Sequence, residues 1–301
     1  MADTGKNVCP TTEFRRLLLA TEDSGRTRGA MLEAIKLAKV CSGKLFVTSV
    51  VEANEEFASL APQLVEKSAV RTRQHLDSVK AAAAKEGLDC EVIAHQGEEP
   101  YRYIVEDAVR KQVDTIIMGK QVKSGLKRLV MGSVTAKVIG HSPCNVLVVP
   151  GDAGVEYKRI LVASDGSRYS AAAVRDAISM AKRCCAGLTA VTVVPSESIS
   201  PLDIVHSEMQ KDLIAEKELS AAECIIKDIR AAAEQEGVGI EGLVLAGKPY
   251  EAIIGTAKEK NIDLIVVGSH GKTGLEKLLM GSVAERVIVL SPCAVLVVKT
   301  K

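Results

Sequence analysis

Arg159-Ile160-Leu161-Val162-Ala163 is a short apolar run behind one arginine, closed by Ser164-Asp165-Gly166-Ser167 and followed by apolar residues at helical spacing over Ala171–Arg183. A brief, continuously apolar run bounded by turn residues fits a strand buried on both faces. The same pattern occurs earlier, as Arg16-Leu17-Leu18-Leu19-Ala20 followed by helical spacing over Ala30–Val40. Working outward from these two points, the chain is written twice. Segment 16–51 aligns without gaps on 159–194, and 100–149 aligns on 249–298 with half of the positions identical. Met131-Gly132-Ser133-Val134 answers Met280-Gly281-Ser282-Val283, and Ser142-Pro143-Cys144 answers Ser291-Pro292-Cys293. The interval between the two blocks is longer in the second copy. Each copy is domain-sized, too large for a solenoid repeat. The reading is one domain over 12–150 and a second over 155–301, joined by the turn-rich Pro150–Gly154.

The remaining periodicities alternate in the same way. Strands are expected over Leu45–Val51 and Leu188–Val194, over Glu91–Ala94 and Leu243–Leu245, over Thr115–Met118 and Leu264–Val267, and over Val146–Val149 and Val295–Val298. Helices are expected over about Leu60–Lys85 and Ile204–Glu236, after Pro100 and Pro249, and from Ser133 and Ser282. Apolar strands alternating with helices mean a doubly wound parallel sheet in each copy, with right-handed crossovers covering both faces. Ligands of such sheets sit beyond the carboxyl ends of the strands, where the strand order reverses.

Composition removes several functions. Lys+Arg 39 against Asp+Glu 38 leaves no broad basic surface for nucleic acid or membrane. Aromatic residues make up 3%, with no Trp, so the core is aliphatic and stacking platforms for single strands are lacking. No apolar run reaches about 18 residues, so no membrane span is expected. The polar opening Met1–Pro10 does not read as a signal peptide. The eight cysteines form no Cys-x-x-Cys pair and read as reduced, mostly buried thiols of a cytoplasmic protein. Cys144 and Cys293, at equivalent positions, read as packing residues, as do the adjacent Cys184 and Cys185. The five histidines show no metal-ligand spacing.

The chemistry lies in one loop. After the fourth strand of the second copy comes Val267-Gly268-Ser269-His270-Gly271-Lys272-Thr273-Gly274, and then Gly281-Ser282-Val283 opens a helix. The spacing is Gly-x2-Gly-x9-Gly-Ser. Glycines let backbone N–H groups approach an anion, and a helix N-terminus adds unpaired donors and a positive dipole end. Ser282 can donate its hydroxyl, and Lys272 adds a charge. The bland alternative is a strand-to-helix turn that merely needs flexible residues. A Walker A loop is excluded, because position 266 is Val where that motif needs Gly, and the glycines do not follow Gly-x-Gly-x-x-Gly. His270 reads equally as a phosphate contact or as loop filler.

These motifs together, with Gly247-x-Pro249, Asp263-Leu264-Ile265-Val266-Val267-Gly268 and Val295-Leu296-Val297-Val298, resemble a tandem universal stress protein over nearly the whole chain. The resemblance implies five-stranded parallel sheets of order 3-2-1-4-5, an adenine nucleotide alpha hydrolase-like fold, and ATP with Mg²⁺ as ligand. Carried onto the second copy, it places Asp165 at the adenosine end and Val193 in the adenine slot. Val267 and Gly268 flank the ribose and phosphates. Gly271, Gly281 and Ser282 hold phosphates, and Val283 adds a backbone N–H. Asp165 has a second reading as a helix cap. The resemblance also implies that the last strands of the two copies pair as an intramolecular pseudo-dimer, with association of two chains left open.

The first copy departs from this pattern. Val122 stands where Gly271 does, Lys120-Gln121 replaces Ser269-His270, and Glu22 takes the place of Asp165, with Asp23 one residue on. Gly125, Gly132 and Ser133 remain. The first copy therefore reads as weak or empty. Lys120, Lys123, Lys127 and Arg128 either attract a phosphate or form a solvated helix-end face. The functional expectation is an ATP-binding regulatory protein of the stress response. The alternatives are a slow ATPase, for which no general base is evident, and a nucleotide-free interaction module.

Overall fold

The computed structural model describes residues 8–11, 14–125, 128–151, 154–195, 208–272 and 280–300. The chain divides into two compact units, Met1–Val155 with Lys301, and Glu156–Thr300.

In the first unit, β1 (Arg16–Ala20), β2 (Lys44–Glu52), β3 (Cys90–Gly97), β4 (Thr115–Gly119) and β7 (Asn145–Val149) are parallel strands in the order β3-β2-β1-β4-β7. The helices are α1 (Arg28–Val40), α2 (Glu55–Leu60), α3 (Pro62–Lys85), α4 (Pro100–Arg110) and α5 (Ser133–His141). Right-handed crossovers put α1 and α3 on one face and α4 and α5 on the other. Between β4 and α5 the chain forms an antiparallel hairpin, β5 (Val122–Gly125) and β6 (Arg128–Met131).

The second unit repeats the plan. Strands β8 (Arg159–Ala163), β9 (Gly187–Val194), β10 (Ile240–Ala246), β11 (Leu264–Gly268) and β12 (Ala294–Val298) are parallel in the order β10-β9-β8-β11-β12. Helices α6 (Arg168–Cys184), α7 (Glu208–Gln235), α8 (Pro249–Glu259) and α9 (Ser282–Leu290) connect them. Both units therefore have strand order 3-2-1-4-5. The order reverses between first and fourth strands, β1/β4 and β8/β11, so the loops leaving those strands lie side by side.

The core is what the composition requires. Leu17, Leu18, Leu19, Ile116, Ile117 and Leu147 are fully buried in the first unit, as are Ile160, Leu161, Ile265, Val266 and Leu296 in the second. One device recurs at the amino end of each sheet. Asp114 Oδ2 accepts from the backbone N–H groups of Arg15 and Arg16, both at 2.8 Å. Asp263 Oδ2 accepts from those of Lys158 and Arg159 at 2.9 and 3.0 Å. Each aspartate joins the start of the first strand to the start of the fourth.

Several expectations are corrected. The third strands β3 and β10 are longer than the apolar stretches suggested, because they lie outermost in their units' strand orders and are only partly buried, so polar residues and glycine enter them. Lys123 and Arg128 lie on the strands of a hairpin, not at a helix end; Lys127 lies outside the described residues. Ile204, where the long helix was expected to open, also lies outside them. Cys9 and Cys41 form a disulfide, so the thiols are not all reduced. The pair is 32 residues apart in sequence and is brought together where the amino-terminal segment crosses the end of α1, which no local spacing reveals. Cys185 is exposed, not buried, at the left-handed residue that ends α6. Cys144 and Cys293 are buried, and the hydroxyls of Ser142 and Ser291 donate to their carbonyls at 2.7 Å. The repeated Ser-Pro-Cys is thus a turn that ends a helix and starts the last strand. No helix among the described residues is long and apolar enough to cross a membrane.

Candidate functional site

In the second unit, the turn after β8 and the loop after β11 meet at the carboxyl end of the sheet. The turn is built residue by residue. Ser164 Oγ accepts from Gly166 N–H and donates to Ser170 Oγ at 3.0 Å. Gly166 has φ +77, and a Cβ there would lie 2.8 Å from Ile225 Cδ1, so the position needs glycine. Ser167 is the N-cap of α6, accepting from Ser170 N–H. Asp165 is therefore not the cap. Its Oδ1 accepts from Ser167 N–H at 3.0 Å, and its Oδ2 accepts from Lys272 N–H at 2.7 Å.

Burial pushes the Asp165 carboxyl up. Hydrogen bonds from Ser167 and Ser170, with the backbone N–H of Lys272, outweigh it and hold the group below the ordinary aspartate value. It is a fixed acceptor, not a base poised near neutrality.

The glycines of the loop separate into two roles. A Cβ on Gly268 would lie 2.7 Å from the backbone carbon of Tyr169 and 2.8 Å from its oxygen. Gly268 is thus required by the close approach of α6 to β11. Gly119 does the same in the first unit, where a Cβ would lie 2.8 Å from the Arg26 oxygen. Gly271 and Gly281 face the loop interior. A Cβ on Gly271 would lie 2.9 Å from Asp165 Oδ2, and one on Gly281 would lie 3.3 Å from His270 Cα and 3.5 Å from Gly271 N. Gly281 N–H donates to Ser269 O at 2.9 Å, which closes the loop directly ahead of α9. His270 packs against Tyr169, with ring centroids 5.2 Å apart, and its Nδ1 lies 3.1 Å from Ser269 Oγ. Ser282 and Val283 open α9, whose N-cap, Gly281, makes no side-chain cap among the described residues, so the first N–H groups have no partner within the helix. Val193 is half-buried at the end of β9, and Val267 is buried near the end of β11. Thr273 and Gly274 lie outside the described residues.

In the first unit the equivalent positions converge on a single cavity of about 330 Å³. Glu22, Val50 and Met118 line it in the places of Asp165, Val193 and Val267. Gly119, Gly132, Ser133 and Val134 line it in the places of Gly268, Gly281, Ser282 and Val283. Asp23, the other candidate for the acidic position, instead pairs with Arg71 at 2.9 Å. Glu22 Oε1 accepts from Gln121 Nε2 at 2.7 Å.

Sequence reasoning missed the wall behind this cavity. Thr48 Oγ1 donates to Asp107 Oδ2 at 2.8 Å, His95 Nε2 lies 2.8 Å from the same oxygen, and Arg110 reaches Oδ1 at 2.5 Å. Asp107 is buried. The visible signal was the polar pair Thr48-Ser49 inside an otherwise apolar strand.

With this geometry in hand, the comparisons with known proteins are direct. The model of the universal stress protein family matches residues 13–150 and again 156–299. Universal stress protein MJ0531 of Methanocaldococcus jannaschii is 42% identical over 143 residues, 48% of this chain and 82% of its own. Universal stress protein YxiE of Bacillus subtilis is 34% identical over 148 residues, 48% of this chain and 99% of its own. A universal stress protein structure from Archaeoglobus fulgidus covers 94% of this chain and 98% of its own at TM-score 0.68 and 22% identity, a likeness of fold. Two matches, one over each unit, account for nearly every described element, and the chain belongs to the universal stress protein family, carrying two of its domains in tandem.

Proposed function

We propose that the second domain binds an adenine nucleotide, ATP with Mg²⁺, and that the protein serves the stress response as a nucleotide-dependent regulator. One observation carries the reading. Gly271 and Gly281 lie backbone to backbone at the carboxyl end of β11, directly ahead of the N-terminus of α9. A side chain at Gly281 would press on the backbone of His270 and Gly271 directly ahead of α9, where a phosphate group would approach, and the first N–H groups of α9 supply donors and a positive dipole end. Ser282 adds a hydroxyl at the first helical position, and Val193 offers an apolar wall for a base two strands away.

Bound ATP brings a dense negative charge and a shape that a partner can read; the chain's part is to hold and orient it. Among the described residues no three His, Cys, Asp or Glu side chains are grouped to hold a metal ion; Mg²⁺, held with the nucleotide, would neutralise part of the phosphate charge. Turnover has no comparable support. Asp165, the acid tied to the loop, accepts two backbone N–H bonds and sits below its ordinary value, which suits an acceptor and not a general base.

The test is mass spectrometry of small molecules released on denaturing the purified protein, with stoichiometry. About one ATP per chain is expected, and none from Gly281→Val with the fold intact by circular dichroism. ATP retained undiminished by Gly281→Val removes the loop from the argument, and absence of nucleotide from the wild type, with no binding in calorimetry, favours an interaction module.

A further inference from the structure

We infer that the cavity of the first domain takes a nucleoside without phosphate, so that the two domains read the two ends of the same ligand class. The inference rests on the nucleotide reading of the second domain. The positions that would meet base and ribose are kept as a cavity, whereas those that would meet phosphate are changed.

The change at the phosphate end is geometric. In the second domain the space beside Gly281 is bounded by loop backbone, His270 Cα and Gly271 N. In the first domain the space beside Gly132 is taken by a side chain. Gln121 Cβ and Oε1 lie 3.2 and 3.4 Å from where a Gly132 Cβ would be, and Gly132 N–H donates to Gln121 O at 3.1 Å. Gln121 Nε2 is then held by Glu22 at 2.7 Å. The glutamine is pinned across the start of α5, and the hairpin β5–β6 follows it directly.

The change is also electrostatic. Among the described residues, the charged ones lining the cavity are Glu22 and Glu52, both acidic. Position 52 corresponds to Pro195 in the second domain, so this second carboxylate belongs to the first domain alone. Two full negative charges oppose a triphosphate, and about half a positive charge at the end of α5 does not cancel them. Carboxylates do accept hydrogen bonds from ligand O–H and N–H groups, which suits ribose hydroxyls or an exocyclic amine.

The remaining lining fits a neutral molecule with one apolar face. Val50, Ile104 and Met118 form an apolar wall. Ser49 and Thr135, each 3% exposed, line the same cavity, and neither hydroxyl has a hydrogen-bond partner among the described residues. Neither oxygen is sealed from the cavity, so both hydroxyls can donate to or accept from a molecule held there. A volume near 330 Å³ is at the small end for ligand sites, enough for a nucleoside.

Isothermal titration of full-length chains tests this. In Gly281→Val, which removes the second domain's loop, adenosine is expected to bind at least tenfold more tightly than ATP. Ser49→Leu in that background is expected to weaken adenosine tenfold or more. Glu52→Gln, a change at an exposed residue that leaves folding intact, is expected to narrow the preference of adenosine over ATP. Equal or tighter ATP binding in Gly281→Val, no adenosine binding there, or adenosine binding insensitive to both further variants overturns the inference. ATP binding by the wild type is measured in parallel; its loss alone tells against the reading of the second domain and not against this cavity.

Discussion

The backbone N–H of Lys272 donates to Oδ2 of Asp165 at 2.7 Å, joining two loops 107 residues apart in sequence. The carboxylate fills the space left by the missing Cβ of Gly271, so this glycine serves the aspartate as well as any ligand. Hydrogen bonds to a charged acceptor contribute about 1.5–3 kcal/mol each, less where the donor meets solvent, as Lys272 N–H does. Asp165→Ala is therefore expected to lower unfolding free energy by about 2–4 kcal/mol, and to weaken ATP retention because the loop loses its anchor. Urea titration and nucleotide content check the two effects.

The same group sets a pH dependence. The Asp165 carboxyl lies below its ordinary value in the folded protein, so the unfolded chain holds the proton more tightly. Its contribution is complete above the unfolded value of about 4 and is lost as pH falls through the lower folded value. Asp263 has the opposite sign, since burial raises its carboxyl despite the N–H groups of Arg159 and Lys158. Asp165→Asn is expected to flatten the acid limb of the stability profile measured by denaturant titration between pH 2 and 5. A limb of unchanged steepness would show that Asp165 does not set it.

The two kinds of glycine can be separated by substitution. Gly268→Ala forces a Cβ within 2.7 Å of backbone in α6 and is expected to cost about 1–3 kcal/mol as overpacking. Gly255, on the exposed side of α8, has nothing within 4 Å of its Cβ position. Gly255→Ala is expected to stabilise by about 0.5–1 kcal/mol through helix propensity. Thermal melts of both variants, in opposite directions, are the check.

Asp107 is a buried carboxylate fed by Thr48, His95 and Arg110. Removing Asp107 leaves the Thr48 hydroxyl and His95 without their acceptor, at about 1–3 kcal/mol for each buried group left unpaired, while Arg110 keeps water; replacing the whole set costs far less. The second domain supplies the replacement: Val191 and Thr256 stand at the positions of Thr48 and Asp107, and Leu245 pairs with Val193 as His95 does with Val50. Asp107→Ala is expected to fall in the costly range. The triple variant Thr48→Val, His95→Leu, Asp107→Thr is expected to recover most of the loss in chemical denaturation.

The Cys9–Cys41 bridge predicts a thiol count. Alkylation of the denatured, unreduced protein is expected to label six cysteines, and eight after reduction. Cys9→Ser is expected to lower stability by about 2–4 kcal/mol under non-reducing conditions and to have little effect under reducing ones.

Much of this was legible in the sequence. Four of the five parallel strands of each domain sit within one or two residues of the apolar runs that announce them, because a strand buried on both faces has no freedom in composition. The hairpin of the first domain was not legible, since Val122–Met131 carries no alternating pattern and its strands are only four residues each. The packing role of Gly268 was not legible for another reason. Its neighbour is the backbone of α6, about a hundred residues earlier, and sequence shows a glycine without showing what approaches it.

By itself, the sequence determined that the protein is one doubly wound fold used twice, because hydrophobic periodicity is a local property and the crossover rule converts it into topology. Only the tertiary structure decided which polar groups meet: Lys272 with Asp165, His95 with Asp107, Gln121 with Glu22, Cys9 with Cys41. Those pairings depend on where the loops of adjacent strands leave the sheet and how closely a helix approaches it. At that end the second domain sets the backbone of His270 and Gly271 against Gly281, and the first sets the Gln121 side chain against Gly132.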